Sequence, residues 1–485
     1  MKILFVLRAT SLYEPTGVMQ LSSIAKKSGH ETKLSTIMKG DVEETIKNWK
    51  PDVLAYSVMS YDYFTVIEFH KKLKQKYPIF TIFGGPHATF DLAIIKEPSI
   101  DAVCVGEGDI AFEDIINKLD RNEDIGNIKN ILVNYDQKLE LRNRIECLDE
   151  LPFIDRELFY EYNQTGQGGF KSFYSSRGCP YKCGYCFNKN FNEIYKNHGR
   201  VFRKRSVDNL IAEIEEVKKK YPLDFIRFID DIFVVKKDKW LEEFSVKFPQ
   251  KIGIRFYCKI RPESFSKELA CLLKKSKCYS VCLTVESSNV DFRKLLYRAT
   301  TNEQIIESFK VASEFGFKIY ANTMLGIPGS SEDLDRRDVE FVKSLKPTIA
   351  HFTILTPHYG TEIYSYCVDK KYIEERAISS LSLTQHTEKS ELNCFTPRYK
   401  AIMHNTALLG PLAVKIPGFS FLLFKLFRYL PLTKVYYYIH FLFTLYYYRK
   451  MVKTKLTLSS VVIYFRTLFS FFNFYNKLKL KKIPH

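Results

Sequence analysis

The last fifth of this 485-residue chain contains no acidic residue. From Phe395 to His485 there are 15 lysines and arginines, and no aspartate or glutamate. The preceding 394 residues carry 58 basic and 55 acidic side chains, so the net charge of +18 belongs mainly to the C-terminal region. Its basic residues alternate with long apolar stretches, and this pattern argues against a surface that follows a nucleic-acid strand.

The chain also lacks a secretory cysteine framework and a clear membrane-spanning segment. Its 11 cysteines are scattered except for one group, whereas secreted disulfide scaffolds are short and dense in cysteine. The apolar run Ile3–Leu7 ends at Arg8 and is too short for a signal peptide. The tyrosine-rich stretch 435–448 has 14 uncharged residues, whereas a membrane helix needs about 20. We therefore expect a cytoplasmic protein.

The basic, aromatic C-terminal region has two interpretations. Helices with apolar aromatic faces and basic edges suit the surface of an anionic membrane, which predicts peripheral contact with the inner membrane face. The alternative is a helical lid that packs on the rest of the protein and uses its aromatic residues as core.

Three cysteines are grouped in the segment Cys179-Pro-Tyr-Lys-Cys183-Gly-Tyr-Cys186. Clustered thiolates are ligands of iron–sulfur clusters, and three of them leave one iron of a four-iron cluster open to a small molecule. A zinc site is the alternative, but zinc usually takes four ligands in two pairs. Because no further cysteine or histidine lies nearby at that spacing, the pattern favours a [4Fe-4S] cluster on Cys179, Cys183 and Cys186.

This spacing, with Tyr185 just before the third cysteine, resembles the signature of the radical S-adenosylmethionine (SAM) superfamily. The resemblance implies that the open iron binds SAM, and that reduction releases a 5′-deoxyadenosyl radical. It also implies an external electron donor such as flavodoxin or ferredoxin. Strand and helix patterns alternate six times between residues 166 and 370, which predicts a partial (β/α)6 TIM-like barrel with its chemistry at the strand ends.

Two strand ends of this barrel resemble the SAM-binding stations of the superfamily. The resemblance implies that SAM contacts the following residues: Tyr185, Glu286, Ser287, Gly326, Ile327, Pro328 and Gly329. A carboxylate can accept hydrogen bonds from the SAM ammonium or ribose, and glycine lets the backbone approach adenine closely. A stabilising ion pair is the alternative role of Glu286, and a plain strand-to-helix turn is compatible with the glycines.

Residues 1–145 predict a doubly wound, Rossmann-like parallel sheet, because short apolar strands alternate with amphipathic helices. Ligands bind such sheets at the carboxyl ends of the strands, where two glycine-rich turns fall. With their flanking residues, these turns resemble the cobalamin-binding domain that precedes many radical SAM domains. The resemblance implies contacts with the cobalamin nucleotide tail from six residues: Gly84, Gly85, His87, Gly106, Glu107 and Gly108. For His87, a solvated turn histidine is the alternative.

The loop after the first strand departs from one branch of that family. Methionine-synthase-type domains use a histidine of this loop as a cobalt ligand, but residues 9–17 contain no histidine. We therefore expect the lower face of cobalt to lack a histidine ligand from this loop.

Together these patterns predict an α/β chain of four parts: a cobalamin-binding domain (1–145), a linker (146–165), a radical SAM barrel (166–370) and a helical region (371–485). The resemblance implies a radical SAM enzyme that uses a [4Fe-4S] cluster, SAM and cobalamin to methylate an unactivated carbon of a small molecule. A lipophilic substrate would fit the C-terminal region.

Other functions remain as alternatives. One is radical cyclisation or rearrangement without methyl transfer, and another is a non-catalytic, membrane-tethered iron–sulfur binding module. A methylthiotransferase is disfavoured, since such enzymes carry a second set of cysteines in the N-terminal domain, where this chain has only Cys104.

Overall fold

The computed structural model describes residues 1–10, 14–163, 166–374 and 389–454. It confirms the predicted fold class: a Rossmann-like parallel sheet, then a curled half-barrel, then a helical C-terminal region. The predicted basic end of the chain, from residue 455 onward, lies outside the described residues.

The N-terminal sheet is built from six strands with helices on both faces. The strands are β1 (Lys2–Leu7), β2 (Glu31–Thr36), β3 (Val53–Ser57), β4 (Phe80–Gly84), β5 (Ala102–Cys104) and β6 (Ile131–Leu132). The helices are α1 (Thr16–Lys27), α2 (Val42–Trp49), α3 (Tyr63–Lys76), α4 (Pro86–Phe90) and α5 (Asp109–Asp120). Strand β6 is antiparallel to β5, and the other neighbouring pairs are parallel.

The strand order β2-β1-β3-β4-β5-β6 reverses direction between β1 and β3. Such a reversal leaves a crevice at the carboxyl ends of the strands, which is where doubly wound sheets bind ligands. In β1, Ile3 and Phe5 pack into the core on one face while Leu4 and Val6 pack on the other. Burial on both faces explains why this strand is a continuous apolar run.

The segment predicted as the linker contains helix α6 (Arg156–Asn163). Its residues Leu158, Phe159 and Tyr160 are buried in the same apolar cluster as Ile3 and Phe5 of β1. The first domain therefore draws part of its core from this segment.

The second sheet is the half-barrel. Its strands are β7 (Phe170–Phe173), β10 (Phe225–Phe228), β11 (Arg255–Ile260), β12 (Cys278–Glu286), β13 (Lys318–Leu325) and β14 (Ile349–Ile354), and a short ribbon pairs β8 (Ser176–Arg177) with β9 (Arg203–Lys204). Its helices are α7 (Phe187–Ile194), α8 (Val207–Lys220), α9 (Lys239–Lys251), α10 (Lys267–Lys275), α11 (Val290–Leu295), α12 (Asn302–Glu314), α13 (Glu332–Ser344) and α14 (Glu362–Asp369). The six barrel strands are parallel and follow chain order, as the predicted repeat requires.

The C-terminal region consists of α15 (Pro397–Lys415), α16 (Phe419–Lys425) and α17 (Thr433–Met451). Helix α15 packs on β14 at Gly410, where an added Cβ would lie 2.6 Å from the ring of Phe352. Helix α17 packs on α15, where the His440 imidazole hydrogen-bonds the Leu408 carbonyl oxygen at 2.7 Å. It also contacts the barrel strands β13 and β14. Within the described ranges, no helix combines the length and apolarity that crossing a bilayer requires.

Candidate active site

The three grouped cysteines lie on the loop between β8 and α7, and none of them forms a disulfide. Two glycines determine the path of this loop. Gly178 has a φ of +84°, and an added Cβ there would lie 2.0 Å from the Val201 carbonyl oxygen, so only glycine fits. The Gly184 amide donates to the Leu296 carbonyl, and the Gly184 carbonyl accepts from the Ile363 amide, each at 2.9 Å. The barrel therefore fixes the backbone that carries the cysteines.

Two of the three sulfur atoms accept a hydrogen bond from a side chain. Arg261 Nη1 donates to Cys183 Sγ at 3.2 Å, and Asn188 Nδ2 donates to Cys186 Sγ at 3.6 Å. Such donors stabilise thiolate charge and tune iron–sulfur clusters. In the part of the chain that the structure describes, no three His, Cys, Asp or Glu side chains gather around one point as a single-ion site requires. In a four-iron cluster each thiolate binds a different iron, so three cysteines on one loop are a donor set that fits such a cluster and leaves one iron open.

At the mouth of the barrel, Tyr185, Glu286 and Arg298 form a buried polar cluster. The Tyr185 hydroxyl and Arg298 Nη1 both donate to Glu286 Oε1, at 2.6 and 2.9 Å, and Arg298 Nη1 also donates to Thr284 Oγ1 at 3.0 Å. Burial first, and then the charge of Glu286, raises the pKa of Tyr185, so this phenol stays a neutral donor.

Glu286 has a left-handed backbone conformation, and within the described residues one of its carboxylate oxygens has no hydrogen-bond partner. Its φ is +63°, at the point where the register between β12 and β13 shifts. A non-glycine residue in this region is strained, and such strain concentrates at functional sites. Glu286 Oε2 is buried and has no hydrogen-bond partner within the described residues. A ligand with N–H or O–H donors satisfies this oxygen, and the SAM ammonium and ribose hydroxyls are such donors.

The other predicted SAM contacts have different surroundings. The Ser287 hydroxyl is buried and donates to Asp338 of α13 at 3.0 Å. Gly326 and Gly329 have φ values of +69° and +91°, and an added Cβ at Gly326 would lie 2.5 Å from Met403 Sδ of α15. Ile327 and Pro328 are buried beside them. This segment directly follows the end of β13 and lies against Met403 of α15, and its contacts with SAM stay a prediction.

A cavity of about 370 Å³ lies between the two domains. One wall is the crevice of the N-terminal sheet and includes five of the predicted cobalamin contacts: Gly84, Gly85, Gly106, Glu107 and Gly108. The opposite wall comes from the barrel domain and includes Arg177, Gly178, Asp230 and Asp231. Because Gly178 directly precedes Cys179, the predicted cobalamin site and the predicted cluster site share this wall.

His87, the sixth predicted contact, lies away from this cavity. Helix α4 begins directly after Gly85 and carries the imidazole against the ring of Tyr63, with 4.1 Å between ring centroids. Burial lowers the pKa of His87 to about 4, so the ring is neutral. The glycine turn was readable from the sequence, but the direction of the side chain after it was not.

The sequence did not indicate the ion pairs that join the two domains. Arg177 donates two hydrogen bonds to Asp109 at the start of α5, at 2.7 and 3.0 Å. Arg203 Nη1 donates to Glu107 Oε2 at 3.0 Å, so this predicted cobalamin contact also joins the domains. Burial alone raises the pKa of Asp109, but the charge and hydrogen bonds of Arg177 outweigh burial and hold it below its ordinary value. The cluster loop is therefore fastened to the N-terminal domain.

Tyr195 makes a further contact between the two domains. The Tyr195 hydroxyl, after α7, accepts hydrogen bonds from the Glu107 amide and from Asn130 Nδ2, both at 2.8 Å. An added Cβ at Gly106 would lie 2.2 Å from the same hydroxyl oxygen, so glycine at this position admits the tyrosine. One glycine thus serves both the cavity wall and the domain contact.

Two family models match the chain. The B12 binding domain matches residues 3–116, and the radical SAM superfamily matches residues 173–342. The two matches cover the Rossmann-like sheet and most of the half-barrel, including the cysteine loop and both strand ends discussed above.

Curated relatives span both domains. An uncharacterized methyltransferase of Pyrococcus horikoshii is 26% identical over 394 residues, covering 76% of this chain and 83% of the relative. The hopanoid C-3 methylase of Methylococcus capsulatus is 24% identical over 367 residues, covering 72% of this chain and 68% of the relative.

Solved structures share the fold. TsrM of Kitasatospora setae, a radical SAM methyltransferase solved with cobalamin and a [4Fe-4S] cluster, superposes with a TM-score of 0.60 at 15% identity, covering 76% of this chain and 75% of its own. OxsB, a cobalamin-dependent SAM radical enzyme, has a TM-score of 0.57 at 16% identity and covers 76% of this chain and 55% of its own. A B12-binding domain and a radical SAM domain are thus joined in one chain, which belongs to the radical SAM enzymes with an N-terminal cobalamin-binding domain.

Proposed function

We propose that this chain is a cobalamin-dependent methyltransferase that acts on an unactivated carbon of a small molecule. The observation that carries the proposal is the shared wall of the interdomain cavity, where Gly178 precedes the first cluster cysteine. A methyl donor in this cavity and a hydrogen-abstracting radical at the barrel mouth would act on one substrate between them. The methyltransferase relatives, which span both domains, support the same reaction.

In this proposal the chain supplies binding and orientation. Cys179, Cys183 and Cys186 hold the [4Fe-4S] cluster, Glu286 receives donors of SAM, and the glycine turns receive the cobalamin tail. When bound, the cluster and SAM supply the 5′-deoxyadenosyl radical and cobalamin supplies the methyl group. Arg298 and Tyr185 donate hydrogen bonds to Oε1 of Glu286, so Oε2 is the oxygen that accepts a hydrogen bond from the ligand.

An external one-electron donor is part of the proposal. Reductive cleavage of SAM consumes one electron, which a flavodoxin or ferredoxin carries. Reduction of SAM in the purified protein by either donor, compared with dithionite, tests this requirement.

The reaction type is tested with SAM that carries an isotopic label in its S-methyl group. The anaerobically reconstituted protein is reduced with this SAM, and deoxyadenosine and label in the corrinoid fraction are measured. We expect both to appear. Deoxyadenosine without label in the corrinoid would instead support cyclisation or rearrangement, and neither product would support a binding module.

We further infer a cytoplasmic protein whose C-terminal helices contact the inner membrane face. Eleven large apolar side chains between residues 416 and 446 are exposed: Ile416, Phe421, Leu422, Leu426, Tyr429, Leu432, Val435, Tyr438, Ile439, Leu442 and Tyr446. Exposed apolar patches of this kind mark interaction sites, and the absence of acidic residues from 395 onward favours an anionic surface.

Flotation with vesicles tests this contact. We expect the protein to float with phosphatidylglycerol vesicles and less with neutral ones, and the double variant Leu442→Ser, Tyr446→Ser to stay at the bottom. Tyr135→Ser, an exposed position in the N-terminal domain, is the matched control. Equal flotation of the double variant, or dimerisation through the patch without vesicle binding, would contradict the inference.

A further inference from the structure

A second cavity, of about 470 Å³, extends down the interior of the half-barrel from Tyr185 and Glu286. Its inward-facing residues form layers, because neighbouring parallel strands are in register. The upper layer pairs Thr284, Asn322 and His351, and the lower layer pairs Lys259, Cys282 and Tyr320. Two residues of a strand span about 7 Å, and Cys282 of the lower layer precedes Glu286 by four residues of β12. The lower layer therefore lies about 13 Å below the level of Glu286.

The lower end of this cavity is closed by the C-terminal region, and its lining is aromatic and apolar apart from Arg227 of β10, the strand neighbour of Tyr257. The end of α17 contributes its lining residues Tyr448, Met451 and Val452. The Ser280 hydroxyl of β12 donates to the Met451 carbonyl at 2.9 Å and fixes the helix end there. The rings of Phe170, Tyr257 and Tyr320 complete an apolar cluster around Met451.

Between this end and the barrel mouth, the lower layer carries a second positive charge, that of Lys259. Lys259 is half-buried and lines the cavity, and within the described ranges its ammonium makes no ion pair and no hydrogen bond. Its strand neighbour Cys282 stays a neutral thiol, because burial raises its pKa to about 11. The carboxylate of Glu286 is already paired with Arg298. Burying a charge without a partner is costly, so this layer is suited to an anion.

We propose that the lower barrel cavity binds an anionic molecule with an apolar portion. Lys259 receives the anionic group, and the apolar portion lies against the floor formed by Tyr448, Met451 and Val452. The bound molecule is the methyl acceptor, and it extends from this layer towards Glu286. This identification of the molecule rests on the proposed function. The ligand is an apolar chain that carries an anionic group, and this group is either a carboxylate or a phosphate.

Photo-crosslinking tests the site without catalysis. The full-length reconstituted protein is irradiated with a diazirine-bearing medium-chain fatty acid, with the corresponding alkyl phosphate, and with the uncharged alcohol, and labelled peptides are mapped by mass spectrometry. We expect saturable labelling by one or both anions on peptides that contain Tyr257, Tyr320 or Met451, and weak labelling by the alcohol. The preferred anion identifies the source of the charge.

Variants of Lys259 decide its role. Lys259→Met should weaken labelling of the barrel peptides about 10- to 100-fold, as expected for loss of a hydrogen bond to a charged group. Lys259→Arg should restore it, and Lys310→Met on the exposed face of α12 should have no effect.

Two results would overturn the site: labelling that is equal for anion and alcohol and insensitive to Lys259→Met, or labelling confined to residues 416–446. Since no turnover is required, these results are independent of the labelled-SAM experiment, which tests the methyltransferase reaction itself.

Discussion

The two cavities of this molecule have different walls. One wall of the interdomain cavity includes the backbone turns at Gly84, Gly85, Gly106 and Gly108, whereas the barrel cavity is lined by side chains in layers. Backbone walls let a large cofactor approach closely, and side-chain walls select a ligand by charge and shape. This difference supports the two proposals made above, a cofactor in the first cavity and the methyl acceptor in the second.

The two cavities are also closed by different interactions. Ion pairs such as Asp109–Arg177 hold the walls of the interdomain cavity together, whereas a single sheet and the end of α17 enclose the barrel cavity. Changes in the ion pairs should affect the first cavity, and changes in Glu286 should affect the second.

The largest effect is expected at the cluster loop, which both cavities adjoin. Cys183→Ala should reduce iron from about four per chain to less than one after reconstitution and abolish deoxyadenosine formation. Cys271→Ala, on the exposed surface of α10, is the matched control and should retain both. Full iron content in Cys183→Ala would contradict the cluster assignment.

Asp109→Asn should open the interdomain cavity. Because it leaves the Arg177 guanidinium without its partner, we expect a loss of about 3–5 kcal/mol in the free energy of unfolding and weaker corrinoid binding. SAM affinity should change little. Asp114→Asn, at a more exposed position on α5, is the control.

The same variant has a predicted pH dependence. The pKa of Asp109 is lower in the folded state than in the unfolded chain, so the ion pair contributes its full stability above about pH 4 and loses it as the pH falls further. The stability deficit of Asp109→Asn, measured by urea unfolding, should therefore shrink below about pH 4. A deficit independent of pH would show that the ion pair is not its cause.

Glu286→Gln should affect the barrel cavity alone. Loss of the charged acceptor at Oε2 should weaken equilibrium binding of SAM about 10- to 100-fold, with iron and corrinoid contents unchanged. Isothermal titration of the reconstituted protein measures this affinity. Unchanged SAM binding would show that Glu286 does not contact SAM and only forms a structural ion pair with Arg298.

The smallest effect on the two cavities is expected at Asp335, which contacts the backbone of Gly326. This carboxyl accepts hydrogen bonds from Ser330 and Tyr399, each at 2.8 Å, and burial raises its pKa to about 7. Between about pH 4 and pH 7 the folded state keeps a proton that the unfolded chain has lost, so stability falls as the pH rises.

Asp335→Asn removes this titration. The stability of the variant relative to the unsubstituted protein should rise between about pH 4 and pH 7, by at most about 1.4 kcal/mol for each pH unit. Urea unfolding at several pH values measures the difference. Parallel pH profiles would show that Asp335 does not titrate in this range.

The fold and the backbone-lined cavity were largely predictable from the sequence. Alternating apolar strands and helices indicate both sheets, and glycines after strands mark the turns that line the interdomain cavity. The direction of the His87 side chain and the pairing of Glu107 with Arg203 were not predictable. The first depends on packing against Tyr63 within the N-terminal domain, and the second depends on side chains that meet across the domain boundary.

The barrel cavity was hidden for a similar reason. Lys259 and Tyr448 are far apart in the chain and come together only through strand register and the packing of α17. Local patterns carry no information about such contacts.

The central claim is that one chain holds a [4Fe-4S] cluster and cobalamin on the two sides of a shared wall. The most direct test is the iron, sulfide and corrinoid content of the protein purified without oxygen, reconstituted and supplied with hydroxocobalamin. We expect about four irons and a stoichiometric corrinoid for each chain. A folded protein with the iron but no corrinoid would remove methyl transfer from cobalamin, and a folded protein without iron would contradict the account as a whole.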